Sequence, residues 1–186
     1  MSSLQKNKTD EVLWNLFQNG SKKAFEEIYR RNIQMLFHFG TRITSDHSLV
    51  KDSIQELFID LWRRRKPGHE VRQVKVYLIK SFRYKLQRVI SKAGSQKTIT
   101  PEELYEQLVD ESHDEEERVE QRRMQLQKSL ERLSPRQREV VYLRYFQNLS
   151  NREIAEILGI NYQSVSNILM RALTKMRSAS KSSLIG

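Results

Sequence analysis

The sequence predicts an all-α protein made of two small helical domains joined by a flexible acidic linker. Apolar residues recur at helical spacing through both halves of the chain, and alternating, strand-like patterns are hard to find. Only six glycines and three prolines interrupt 186 residues. Charge changes sign in blocks along the chain, which marks the joint between the two helical parts.

The overall charge predicts a polyanionic partner. Lys and Arg outnumber Asp and Glu by 33 to 23, for a formal net charge of +10. An excess of this size favours a nucleic acid or an anionic membrane surface. The chain has no cysteine, which excludes disulfides, thiolate metal sites and a cysteine nucleophile. No signal peptide and no apolar run near the ~20 residues of a bilayer span is present, so we expect a soluble, cytoplasmic protein.

The first predicted domain covers residues 10–92. Ala24, Phe25, Ile28 and Tyr29 share one helix face. A second amphipathic helix follows, whose apolar stripe comprises Ile54, Leu57, Phe58, Leu61 and Trp62 and whose other face is polar. The Lys66-Pro67-Gly68 segment ends it, and a third helix is expected from about Val74 to Lys92.

The linker is predicted over residues 93–122. From Arg63 to Lys92 the sequence has eleven basic residues and one acid, whereas from Glu102 to Glu120 it has ten acids and one base. Little apolar content follows Ala93 before Met124, so this stretch lacks the means to form a core.

The second predicted domain, 123–180, carries the sharpest local signals. Ser134 and Ser150 each begin a capping box, with Gln137 and Glu153 three residues on. Gly159 is placed to end the helix after Ser150, and Asn161 can cap the next one.

The helix after Ser150 and the helix after Asn161 together predict a helix-turn-helix. The second helix of this motif, which follows Asn161, is expected to enter the major groove of DNA. Gln and Asn can pair with adenine, and Arg171 can bind guanine or phosphate. The outward-facing candidates on the second helix are Tyr162, Gln163, Ser166, Asn167, Met170 and Arg171.

At this point the sequence resembles the extracytoplasmic-function (ECF) sigma factors of the sigma-70 family. The stretches Leu133–Val140 and Leu149–Ile160 are similar to the family's domain 4. The stretch Asp52–Trp62 resembles the domain 2 helix that docks on RNA polymerase. The two motifs in this order, separated by an acidic linker, are more specific than either alone.

The resemblance implies three groups of site residues. For docking on core polymerase they are Asp52, Gln55, Glu56, Phe58 and Asp60. For the minus-10 promoter element they are Arg72, Lys75, Lys80, Arg83, Tyr84 and Arg88, with Tyr77 and Phe82 expected in the core. For the minus-35 element the resemblance adds Ser150 and Arg152 to the six outward residues of the second helix. The chain departs from the family at Tyr84 and at Ser166–Ile168, so no promoter sequence is carried over.

The resemblance also implies partners and a function. It implies promoter DNA, core polymerase and a membrane-associated anti-sigma factor as partners, for a sigma factor that does not itself insert into a membrane. We expect no enzyme, no cofactor and no metal site, because the four histidines lack ligand spacing and the glycines form no phosphate loop. Two alternatives stay open: a stand-alone helix-turn-helix regulator of duplex DNA, and a helical protein-interaction adaptor.

Overall fold

The computed structural model describes residues 8–93, 129–130 and 132–182, and within them every regular element is helical. Contacts divide these residues into two compact units. The first holds the residues up to Gly40 and those from Asp46 to Ala93. The second holds the five residues Thr41–Ser45 and the described residues from 129 onward. The all-α prediction is confirmed, whereas the acidic linker from residue 94 lies outside the described residues.

Four helices form the first unit: α1 (Asp10–Gln18), α2 (Lys22–Gly40), α3 (His47–Arg64) and α4 (Val74–Ala93). Each buries one stripe of apolar side chains. In α3 the stripe includes Val50, Ile54 and Leu57, at intervals of three and four residues. These intervals return to the same side of a helix, so the stripes of α2, α3 and α4 meet in one core.

The ends of these helices follow from local chemistry. Asp46 caps α3, because its carboxylate accepts a hydrogen bond from the Leu49 amide at 3.0 Å. Helix α3 ends at Arg64, and the chain then passes through Pro67 and Gly68, which has a φ of +80°. The α3–α4 loop is tied to α1, since the Gln18 side chain donates to the His69 carbonyl at 2.6 Å.

The second unit contains α5 (Pro135–Val141), α6 (Asn151–Leu158) and α7 (Tyr162–Ser182). Both predicted capping boxes are present at Ser134 and Ser150. Gly159 adopts the left-handed conformation at φ +63°, which ends α6 as predicted. The Asn161 side chain accepts from the Ser164 amide at 2.7 Å and caps α7. Helices α5 and α6 both pack on α7, whose buried residues include Val165, Leu169 and Ala172.

A π-helical turn, Tyr142–Phe146, continues directly from α5. Its wider backbone turn leaves Tyr145 and Phe146 exposed, at 53% and 44%, although the sequence pattern groups them with the apolar residues of this helix. Asn148 then takes a positive φ of 53°, which asparagine tolerates better than most residues.

In the stretches 8–93 and 132–182, no helix combines the length and the hydropathy required to cross a membrane.

Candidate functional site

The exposed side of α3 brings the predicted docking residues together. Asp52, Gln55 and Glu56 all face solvent, and Asp60 keeps 40% of its side chain exposed. These positions are separated by three, four and eight residues, so helical geometry places them on one surface. We call the surface formed by Asp52, Gln55, Glu56, Ile59 and Asp60 the docking face.

The apolar member of this face differs from the one suggested by the sequence. Phe58 is only 4% exposed and packs edge-on against Phe25 and Tyr29, with ring centroids 5.8 Å and 4.9 Å away. Ile59, the next residue, is 40% exposed and follows Gln55 by one helical turn. The structure therefore places Phe58 in the core beneath the face, and Ile59 on it.

A lysine from α4 contacts two acids of the docking face. The Lys85 ammonium lies 2.8 Å from Asp60 Oδ2 and 3.2 Å from Glu56 Oε2. The hydrogen bond from Lys85 lowers the pKa of Asp60. Burial disfavours the charged form of Lys85, but its hydrogen bonds to Asp60 and Glu56 outweigh burial and raise its pKa. The pKa shifts of Lys85 and Asp60 thus both favour the charged form of the group.

A second surface runs along α4. Its solvent-exposed stripe contains Lys80, Tyr84, Gln87 and Arg88, at helical spacing. Tyr84 is 71% exposed, the largest value among the exposed large hydrophobic residues of the described chain. We call these four residues the α4 face. Arg83 is half-buried beside it, and Phe82 is fully buried in the core, as expected.

The α3–α4 loop lies at the N-terminal end of the α4 face and carries Arg72, which is exposed, while Lys75 is half-buried. Tyr77 is half-buried as well and anchors this end of α4. Its ring lies 5.2 Å from Trp14 in α1 and 6.1 Å from His69 in the loop. The loop is therefore held against two helices by its backbone and by ring contacts.

The third surface is the outward stripe of α7, formed by Gln163, Asn167, Met170 and Arg171, which we call the α7 face. Met170 is 61% exposed, and Tyr162 at the helix start is 53% exposed. Gln163 Nε2 lies 3.4 Å from Asn167 Oδ1, so the two amides form a chain along the helix. This arrangement offers amide donors and acceptors, the groups that pair with adenine in the major groove.

Three other predicted residues of this unit have different surroundings. Ser166 is half-buried, and its hydroxyl accepts a hydrogen bond from Asn151 at 3.2 Å, which links the start of α6 to α7. The Ser150 hydroxyl accepts from the Glu153 amide at 3.3 Å and serves as a helix cap. Arg152 is exposed on the first turn of α6.

The sequence analysis did not predict the exposure of Ile59 and Gln87 on these surfaces or the contacts of Lys85. Ile59 adjoins the buried Phe58 in the sequence. To predict that Ile59 is the exposed one, the rotation of the helix about its axis must be known to within one residue. In the sequence, nothing distinguishes Lys85 from the other basic residues of helix α4. Its pairing with Glu56 and Asp60, 29 and 25 residues away, needs the packing of α3 against α4.

Comparisons with known proteins find similarity to bacterial sigma factors. The family model described as "Sigma-70, region 4" matches residues 123–176. RNA polymerase sigma-B factor of Bacillus subtilis is 40% identical over 72 residues, which are 39% of this chain and only 27% of that protein. RNA polymerase sigma-E factor of Streptomyces avermitilis is 28% identical over 162 residues, which are 86% of each chain.

The fold is similar to that of a solved sigma factor. The structure of RpoE in complex with the anti-sigma factor NepR, from Bartonella quintana, matches with a TM-score of 0.62. The match covers 86% of this chain and 98% of that one, at 18% sequence identity. At 18% sequence identity, this comparison supports a similar fold and no more.

Proposed function

The chain belongs to the sigma-70 family, as a factor of the extracytoplasmic-function type, and from this premise we propose that it binds core RNA polymerase and directs it to promoters. The observation that carries the proposal is the relationship to sigma-E factor, which spans 86% of both chains and so includes both units. Sigma factors are non-enzymatic transcription factors as a class. We infer that this chain likewise acts by binding, without a catalytic step or cofactor of its own.

The docking face is the proposed contact with core polymerase. Its acids and amide surround Ile59, an exposed apolar side chain that can be buried against a partner. An acidic surface of this kind suits a basic partner, since opposite charges speed encounter and fix register. The residues proposed for this contact are thus Asp52, Gln55, Glu56 and Asp60, with Ile59 as the apolar anchor and Phe58 as its support.

The α4 face and the loop before it are the proposed minus-10 surface. Lys80 and Arg88, with Arg72, Lys75 and Arg83 beside them, can neutralise phosphates, which supplies affinity but reads no sequence. Tyr84 exposes its ring between Lys80 and Arg88, where it can stack on an unpaired base. Promoter melting exposes such bases, so this surface fits single-stranded DNA.

The α7 face is the proposed minus-35 reader. Gln163 and Asn167 offer amides to base edges, Met170 offers an apolar contact, and Arg171 offers guanine or phosphate binding. Tyr162 and Arg152 flank this stripe. Ser150 and Ser166 act at this surface by fixing the start of α6 and its link to α7, since both hydroxyls are engaged there.

We further propose a cytoplasmic protein that is controlled by a membrane-associated anti-sigma factor. The cytoplasm holds the polymerase that a bacterial sigma factor serves. Support for the regulator comes from the structural neighbour, which was solved bound to an anti-sigma factor.

DNA binding with and without polymerase separates this function from its two rivals. Anisotropy of labelled promoter duplexes is measured with this protein, with core polymerase, and with both, at ~0.15 M salt. We expect weak binding by the protein alone and binding at least about tenfold tighter when polymerase is added. Tight duplex binding that polymerase does not change would indicate a stand-alone regulator, and absence of DNA binding in every mixture would indicate an adaptor.

A further inference from the structure

Lys85 belongs to the basic helix α4, but its ammonium contacts the docking face on α3. Its ammonium bonds Asp60 and Glu56, both on α3. We propose that Lys85 is a positioning residue for polymerase docking, which holds these two carboxylates in place, and that it does not bind promoter DNA. The inference rests on the proposed docking function and adds a residue outside the docking helix to it.

The geometry explains why the two carboxylates need such a residue. Glu56 and Asp60 are four residues apart on α3, so they lie on the same side of the helix and repel each other. The two side chains are 62% and 40% exposed, whereas Lys85 is 21% exposed and reaches them from the adjoining helix. Lys85 therefore offsets the repulsion from the protein side and leaves the carboxylates open to a partner.

The direction of Lys85 argues against a DNA contact. The exposed stripe of α4 passes through Lys80, Tyr84 and Arg88, and Lys85 is rotated by about 100° from Tyr84 around the helix. Its ammonium already donates hydrogen bonds to two carboxylates, which together carry more charge than the lysine does. A phosphate that approached this ammonium would meet a locally negative surface.

The same contact joins the two proposed surfaces of the first unit. Helix α3 carries the docking face and α4 carries the α4 face, and Lys85 bonds across the boundary between them. A fixed orientation of the carboxylates lowers the cost of ordering them when polymerase binds. The lower ordering cost stabilises the complex after it has formed. Loss of the Lys85 contact is therefore expected to accelerate dissociation.

Binding kinetics with core polymerase test the inference in the full-length chain. In Lys85→Gln we expect dissociation about three- to tenfold faster, while association does not slow, because the face becomes more negative. Lys85→Arg, which keeps the charge and the donors, restores slow dissociation. In an Asp60→Asn background Lys85→Gln has a smaller effect, since one of its two partners is already changed. Urea unfolding establishes that each variant is folded, and Lys85→Met replaces the glutamine variant if that one is not.

Salt dependence of promoter binding by the holoenzyme provides the second readout, with Arg88→Gln as the matched control. Arg88 lies on the α4 face, three residues from Lys85. The magnitude of the slope of log affinity against log salt concentration falls by about 0.7 when one phosphate contact with single-stranded DNA is lost. We expect this fall for Arg88→Gln and an unchanged slope for Lys85→Gln. A fall for Lys85→Gln would make it a DNA contact and overturn the inference.

A docking variant, Gln55→Ala, distinguishes failure of this inference from failure of the docking proposal. If Gln55→Ala dissociates faster and Lys85→Gln does not, the docking face stands and the role of Lys85 is wrong. If neither variant changes polymerase binding, the docking proposal itself fails. Faster dissociation in both, with rescue by Lys85→Arg, is the result that supports the inference.

Discussion

Gly40 ends α2 at a point where three helices of the first unit meet. A Cβ atom at this position would lie 2.7 Å from Val50 Cγ1 in α3 and 2.9 Å from Phe82 Cζ in α4. Both distances are shorter than any ordinary carbon contact, so Gly40 allows the close approach of these helices. The residue matters because it has no side chain, and the sequence alone gives no sign of this.

We predict that Gly40→Ala destabilises the first unit. The overpacked methyl group outweighs the small gain in helix propensity, for a net loss of about 1–2 kcal/mol in the free energy of unfolding. Both tryptophans, Trp14 and Trp62, belong to this unit, so their fluorescence during urea unfolding reports its stability. Gln34→Ala, on an exposed position of the same helix, is the control. Equal midpoints for the two variants would contradict the close contact.

Glu27 pairs with two arginines of its own helix α2, one of which also reaches α1. Its carboxylate bonds both Arg30 and Arg31 at 2.7 Å, and Arg31 reaches Asp10 at 3.0 Å. The hydrogen bonds from Arg30 and Arg31 lower the pKa of Glu27 from 4.5 to about 2. Because the pKa of Glu27 is lowered in the folded state, its ionised carboxylate contributes fully to the free energy of unfolding above pH 4.5. This contribution is lost as the pH falls through 2.

We therefore expect the stability difference between the native chain and Glu27→Gln to depend on pH. Arg30 is 59% exposed and water screens its pairing, so the difference should be about 1 kcal/mol at pH 6. It should shrink as the pH falls from 4.5 to 2, because in this range the unfolded chain binds a proton at Glu27 that the folded chain does not yet bind. Tryptophan-detected urea unfolding at pH 6, 4 and 3 measures it. A difference that stays constant across this range would show that the charge of Glu27 contributes nothing.

Local side-chain patterns predicted the helix-turn-helix element well, because caps act over three or four residues. Ser134, Ser150, Gly159 and Asn161 each occupy the end position that the sequence indicates. The π-helical turn at Tyr142–Phe146 was not predicted, since no local signal separates it from the α-helix that it continues. The same limit applies to Phe58 and Ile59, whose exposure depends on packing against α2.

We predict that Ser150→Ala destabilises α6 by about 1 kcal/mol, whereas Ser150→Gly costs only a few tenths. The Ser150 hydroxyl accepts from the Glu153 amide, and the Glu153 carboxylate accepts from the Ser150 amide. Alanine leaves the Glu153 amide without this acceptor, while glycine suits the backbone of a cap. Amide hydrogen exchange in α6 and α7 measures the effect within the second unit. Equal exchange in both variants would argue against the cap.

At the scale of the whole molecule, the proposed function divides its contacts between the two units. The first presents an acidic docking face and a basic, aromatic α4 face, and the second presents the α7 face. The exposure of most residues on these surfaces could be predicted from the sequence, because charge and helical period are local properties. The sequence could not predict Lys85 between Glu56 and Asp60, because that contact joins helices distant in sequence.

Run-off transcription tests the central claim, that this chain is a sigma factor which docks through α3. Core polymerase and a promoter-containing genomic fragment are combined with the native chain, with Gln55→Ala/Glu56→Ala, or with Gln34→Ala/Glu26→Ala. The last variant removes the same residue types from exposed positions of α2. We predict promoter-specific transcript from the native chain and from the α2 variant, and a loss of at least about tenfold from the docking variant. Absence of transcript with the native chain on every fragment, while it binds duplex DNA alone, would contradict the claim.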